Sequence, residues 1–255
     1  MATPIEHIYK FGLKLSDLSG LSKSEKAALT VLCFIVSELN SLHRLSLFAM
    51  HSEDLPQDAL PAVALQRNLI LRTTTAKLFE FLRFAEKKID PDALDDRVKK
   101  VFQKFSKELG ESRSGIGFTI ARKIRNKMAN HFDFEEAGKI VEQCPESTEC
   151  SFFLTKSSGN SYYPMGDDII FVSGILKAIK DSKLTITFRD ALDAWINWTL
   201  QLSRLADSIH FAIIKELILP LVPDRMARHR ALWLPKDLVA EHPRFRLPIF
   251  IRVAK

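Results

Sequence analysis

Apolar residues along this chain recur mostly at spacings of three and four, the period of a helix face turned toward a core. Ser22 and Glu25 form an S-x-x-E capping signal ahead of KAALTVLCFIVSELNSLHRLSLFAM, which predicts a long buried helix to about Met50. Pro56 and Pro61 mark a loop. Over residues 62–88, Leu65, Leu69, Leu78, Phe81, Leu82 and Ala85 predict a second long helix. Asp90 followed by Pro91 predicts a third helix, with Asp as cap and Pro in the first turn. It runs to about Leu109, with Val98, Val101, Phe102 and Phe105 inward and Gly110 ending it. A fourth begins near Ser114 or Gly115. In it Ile116, Ile120, Ile124, Met128 and Phe132 recur every four residues and draw one slowly drifting stripe.

After that helix FEEAGKIVEQ reads as a short helix. ECSFFLTKSSGNSYYPMGDDIIF changes character: aromatic and β-branched runs flank Ser158, Gly159 and Asn160, which predicts a hairpin insertion at about residues 149–172. VSGILKAIKD is a short helix. Thr187 and Asp190 open a last long helix to about Leu219, carrying Trp195, Trp198, Leu202, Leu205, Ile209 and Ile213 before Pro220 and Pro223 stop it. From Asp224 to the end, eight Lys or Arg face three Asp or Glu, interleaved with Trp233, Phe245 and Phe250. The expected fold is all-α: an antiparallel helical bundle over residues 1–222 with a small β-hairpin insertion, then a basic C-terminal extension over 223–255.

Composition changes this picture little. Apolar residues make 46% and charged residues 27% of 255, a globular balance, and 9 glycines favour long helices over a turn-rich β protein. A net charge of +6 is compatible with a polyanionic partner, and on charge alone more simply with a plain positive bias. No secretory pattern opens MATPIEHIYKFGLKL, so Cys33, Cys144 and Cys150 are expected to be reduced thiols of a cytoplasmic protein, with Cys33 buried. No uninterrupted run of about 18 apolar residues occurs, so no membrane span is expected. His7, His43, His51, His210, His229 and His242 have no ligand spacing, and CPESTEC is weak for zinc. There is no Gly-rich phosphate loop, no G-x-S-x-G and no H-E-x-x-H, so no metal and no cofactor are expected.

One stretch carries chemistry. In RKIRNKMANHF, with Ile124 at zero, Met128 falls at about 40° and Phe132 at about 80° around the axis. Arg125 lies near 100°, His131 near −20° and Asn126 near 200°, so Arg125 and His131 rim the apolar stripe. They meet if the helix bends or ends near Asn130, or if a second copy packs on it across a two-fold axis. A cation beside an apolar stripe needs an anion opposite. Asp133 and the pair Glu135 and Glu136 are internal candidates; an RNA phosphate is the functional one. The plainer reading is an internal salt bridge with a helix-terminal His.

Arg125-Asn126, four residues, then His131 at the end of a bundle helix resembles the signature of the HEPN superfamily. The likeness covers about residues 22–219, and the motif is its specific part. It implies a HEPN-like bundle that dimerises through the motif helix, and in many members a metal-independent endoribonuclease leaving a 2′,3′-cyclic phosphate, often a toxin or part of phage defence or stress response. By that resemblance His131 is base or acid, Arg125 the phosphate clamp and Asn126 a polar orienting group. Lys127, Arg122, Arg228 and Arg230 are weaker candidates for RNA contact. The implied partners are RNA, transfer RNA among the candidates, a second copy of the chain, and an antitoxin protein. Some HEPN toxins carry a Tyr two residues after the His, modified by a partner nucleotidyltransferase; here Asp133 stands there. Other members keep fold and motif as non-catalytic RNA- or protein-binding regulatory modules, which is the alternative.

Overall fold

A computed structural model describes residues 3–4, 13–49, 55–89, 96–125, 134–148, 150–155, 160–221, 233–234 and 248. The protein is all-α. Its helices are α1 (Lys23–Ala49), α2 (Leu60–Ile89), α3 (Asp96–Lys104), α4 (Ser106–Glu111), α5 (Gly115–Ile124), α6 (Phe134–Gln143), α7 (Pro164–Asp167), α8 (Ser173–Asp181) and α9 (Phe188–Leu217). A π-helical turn, Asp168–Val172, joins α7 to α8. Two-residue segments Thr3–Pro4 and Trp233–Leu234 pair antiparallel.

The helix starts follow from their capping chemistry. At α1 the Ser22 N–H donates to Glu25 Oε2 at 2.9 Å, and the Glu25 N–H donates to Ser22 Oγ at 3.1 Å. At α9 the same exchange uses a shorter acid: the Asp190 N–H donates to Thr187 Oγ1, and Thr187 donates from its N–H and its hydroxyl to Asp190 Oδ2. Those donors hold the Asp190 carboxyl below its ordinary range.

The described residues fall into two compact units, one within Met1–Glu38, Phe81–Leu109 and Arg204–Phe245, the other within Leu39–Glu80, Gly110–Ser203 and Arg246–Lys255. In the first unit the core holds Ala28, Leu32, Phe81, Phe102, Ile209 and Ile213, all fully buried, with Phe84 edge-on to Phe102 at 5.9 Å. Beside them Glu25 is only 1% exposed. Its Oε1 lies 2.6 Å from Arg97 Nε but off the N–H axis, so that contact is Coulombic, while Arg97 Nη2 donates to Oε2 at 2.8 Å. Removing one partner of such a pair leaves a buried charge. Arg97→Ala is expected to cost about 2 kcal/mol by urea denaturation, less than the ~3–5 of a fully buried pair because Arg97 is 38% exposed.

The second unit is organised around Trp195, fully buried on α9, whose indole N–H donates to Thr75 Oγ1 at 2.8 Å. Phe171 stacks at a tilt against it, 5.6 Å away. Here α5 packs against α8.

Two expectations need correction. Gly110 does not end the third helix; it lies inside α4, because the break comes earlier, at Phe105, where the chain turns through Phe105 N–H to Phe102 O. The left-handed backbone appears instead at Gly115, φ +83°, at the start of α5. Among the described residues of the insertion there is one antiparallel bridge, Phe153 with Tyr162, their rings stacked 4.4 Å apart. From Pro164 the chain is helical: buried Phe171, Ile175 and Ala178 keep a helical spacing, and that packing overrides the β-branched character of Asp168–Val172. Residues 126–133, and with them the end of the fourth expected helix, lie outside the described residues, as do 90–95 and nearly all of 223–255.

One helix among the described residues, α1, is long and apolar enough by length and composition to cross a membrane. Small polar residues interrupt its apolar runs, and the same helix buries Ala28, Leu32, Val36 and Leu39 within the fold.

Candidate functional site

The face of α5 that turns inward is Gly117, Ile120, Ala121 and Ile124. The stripe expected through Ile116 is shifted, since Ile116 is exposed and Gly117 takes its place. A Cβ on Gly117 would stand 2.3 Å from the Ala194 carbonyl oxygen and 2.7 Å from Trp198 Cβ. The missing side chain therefore lets α5 lie directly on α9.

That close approach builds an aromatic platform. Phe79, Phe118 and Trp198 meet pairwise at 5.5–6.1 Å, and Trp198 donates its indole N–H to Ser112 O at 2.7 Å. Two guanidinium groups rest on it. Arg122, exposed, lies 5.4 Å over Phe118, one turn before it on α5. Arg125 lies 5.7 Å over Phe79. Each such contact is worth roughly 0.5–1 kcal/mol at a partly exposed site. Arg125 continues the helical backbone past Ile124, its N–H directed to the Ala121 and Arg122 carbonyls. Its Nη2 is 3.4 Å from Glu80 Oε1, with side chains 31% and 51% exposed. An ion pair this long and this wet is worth about 0–1 kcal/mol.

Of the expected site residues, Arg125 and Arg122 share the platform. Asn126, Lys127 and His131 lie outside the described residues, as do Arg228 and Arg230. Asp133, an internal candidate for Arg125, lies there too; Glu80 on α2 is the carboxylate found beside Arg125. Phe79 and Glu80 were missed because they stand 45 or more residues away on another helix; the Phe118 and Arg122 spacing of four was readable.

Two further clusters carry titratable groups. In the first unit Cys33 Sγ lies 3.3 Å from His210 Nε2, and Cys33 is half-buried, not buried as expected. Burial pushes the thiol up and the imidazole down, with Asp207 opposing the latter. The pair therefore rests as thiol and neutral imidazole, not as an activated thiolate. Because the folded imidazole titrates below its unfolded value, its contribution is present above about pH 6.5 and is lost as pH falls through the folded-state value. Melting temperatures are expected to fall between pH 7.5 and 5.5, and His210→Asn to flatten that slope.

In the second unit Asp167 is buried beside Asn68, which donates its amide to Oδ2, and Arg72, 3.5 Å from Oδ1. Burial raises its carboxyl, and Asn68 and Arg72 pull it back. Arg72 also caps the Phe171 ring at 5.6 Å. The other two cysteines are apart, Cys144 against Ser173 Oγ and Cys150 against Thr148 O.

The fold and this geometry define the class no more finely than an all-α protein with a guanidinium pair on an aromatic platform. No protein-family model, curated protein or solved structure matches the chain.

Proposed function

We propose that the protein is a HEPN-like helical bundle acting as a metal-independent endoribonuclease, dimeric through the motif helix, in toxin, phage-defence or stress-response settings. The observation that supports it most is the placement of Arg125: a side chain about a third exposed at the end of α5, against the Phe79 ring and 3.4 Å from Glu80. A phosphate oxygen pair outbids one distant carboxylate for a guanidinium, since it offers two charge-assisted hydrogen bonds in one plane.

In this reading His131 takes the proton of a ribose 2′-OH, the oxygen attacks the adjacent phosphorus, and the bond to the 5′-oxygen breaks as that oxygen takes a proton from water, the imidazolium returning its own to the solvent. The products are a 2′,3′-cyclic phosphate and a 5′-hydroxyl. Arg125 carries the charge that gathers on the non-bridging oxygens, and Asn126 orients the imidazole or the phosphate. Arg122, beside Arg125 on the platform, adds positive charge along the path of the strand.

The Glu80 contact favours a second reading, a non-catalytic RNA- or protein-binding module in which Arg125 is chiefly structural. Incubating the full chain with transfer RNA and total RNA in EDTA separates them. The nuclease gives discrete fragments; the module retains RNA on a filter and gives none at any concentration.

A further inference from the structure

The second unit contains a cavity of about 420 Å³, the size of many small-molecule sites. No residue of the Arg125 platform lines it. Three helix faces meet there: Leu39 of α1, Ile70 and Leu71 of α2, and Leu192, Ile196 and Leu200 of α9, the last three at helical spacing. No Phe, Trp or Met stands among the described lining residues, so the space where the faces converge is not filled as a close-packed core is. Leu71, Leu192, Ile196 and Leu200 are only half-buried, whereas Ile70, Trp195 and Thr199 beside them are buried.

The polar groups of the wall are engaged within the protein. Thr74, Thr199 and Ser203 donate to the carbonyls of Ile70, Trp195 and Thr199, and Ser46 donates to that of His43. A hydroxyl committed to its own helix makes little demand for water, and an apolar space without polar partners holds water poorly. Charges of both signs are likewise held in place. Arg67 donates its Nε–H to Ala49 O at 2.7 Å and has further interactions of its own. Asn68 donates its amide to Asp167, which Arg72 also faces at 3.5 Å. An ionic head would lose its hydration only to meet groups that already have partners. A neutral aliphatic molecule has no such cost, and removes its own apolar surface and that of the half-buried leucines from water. The C-terminal extension meets this unit outside the cavity at Pro248, whose carbonyl accepts from Gln66 Nε2 at 2.9 Å; neither residue lines the space.

We propose that this cavity binds a neutral aliphatic molecule, its chain laid among Leu71, Ile196 and Leu200. The proposal does not depend on RNA cleavage, and either can fail alone.

Calorimetric titration of the full chain with octanol, beside octanoate and octyltrimethylammonium, tests it. Saturable one-to-one binding of octanol is expected, about tenfold or more tighter than either ion, because the ions must shed hydration. The melting temperature is expected to rise with octanol concentration. Ile196→Trp, which fills the cavity, is expected to abolish both effects; Leu71→Phe serves if that variant does not fold. Absence of saturable heat with octanol, as when a segment of the chain itself fills the space, overturns the assignment. So does binding of either ion as tight as that of octanol, or undiminished octanol binding in a folded cavity-filled variant.

Discussion

Arg125→Ala is expected to reduce RNA cleavage by about 10²–10³-fold while lowering the melting temperature by only about 2–6 °C. The kinetic size is that of removing one fixed charge that stabilises a transition state. The contacts with Phe79 and with Glu80, long and wet, are worth about 1–2 kcal/mol to folding. Arg125→Lys keeps the charge but loses the planar fork, and is expected to fall between wild type and alanine. Glu80→Gln should act in the opposite direction. It removes the carboxylate that competes with phosphate and should tighten RNA binding up to about fivefold, the equivalent of a surface pair. An Arg125→Ala protein that cleaves as well as wild type would return the residue to a structural role.

Gly117→Ala is expected to harm stability about as much as Arg97→Ala. A methyl group there has neither room nor a flexible neighbour to displace, because the nearest atom is the Ala194 carbonyl oxygen, 2.3 Å away. Overpacking of this kind costs about 1–3 kcal/mol, and backbone obstruction puts it at the upper end. Alanine returns about 1 kcal/mol of helix propensity over glycine. The net loss is therefore about 2 kcal/mol, read as a lower urea midpoint at unchanged slope. Since α5 carries Arg122 and Arg125 to the platform, cleavage should fall with it. A stabilised Gly117→Ala protein would mean that α5 and α9 lie further apart than described.

What the sequence made legible was local. The boxes at Ser22 with Glu25 and at Thr187 with Asp190 act within three residues, and both helices begin where those pairs place them. Trp195 and Trp198 stand on the apolar stripe expected of the last helix, and both are buried. What was illegible depends on partners far along the chain. Nothing near Gly117 announces that Ala194 will press on it, and nothing near Arg125 points to Phe79 and Glu80. Val172 and the residues before it show the other limit: Ile169, Ile170 and Phe171 favour strands intrinsically, yet burial against Trp195 at helical spacing decides their state. A cavity lined by Leu39, Leu71 and Ile196 belongs to the same category, since it is made by three helices whose lining positions read, one helix at a time, as ordinary core.

The most direct test is the chemistry of the RNA ends. Transfer RNA is incubated with the protein in EDTA, and the fragments are analysed by mass spectrometry, beside His131→Ala protein of equal melting temperature. New 3′ ends carrying a 2′,3′-cyclic phosphate, opposite 5′-hydroxyls, and their loss by about 10²–10⁴-fold in His131→Ala, are the predicted result. Intact RNA with the wild-type protein, or fragments produced equally by His131→Ala, would contradict the account.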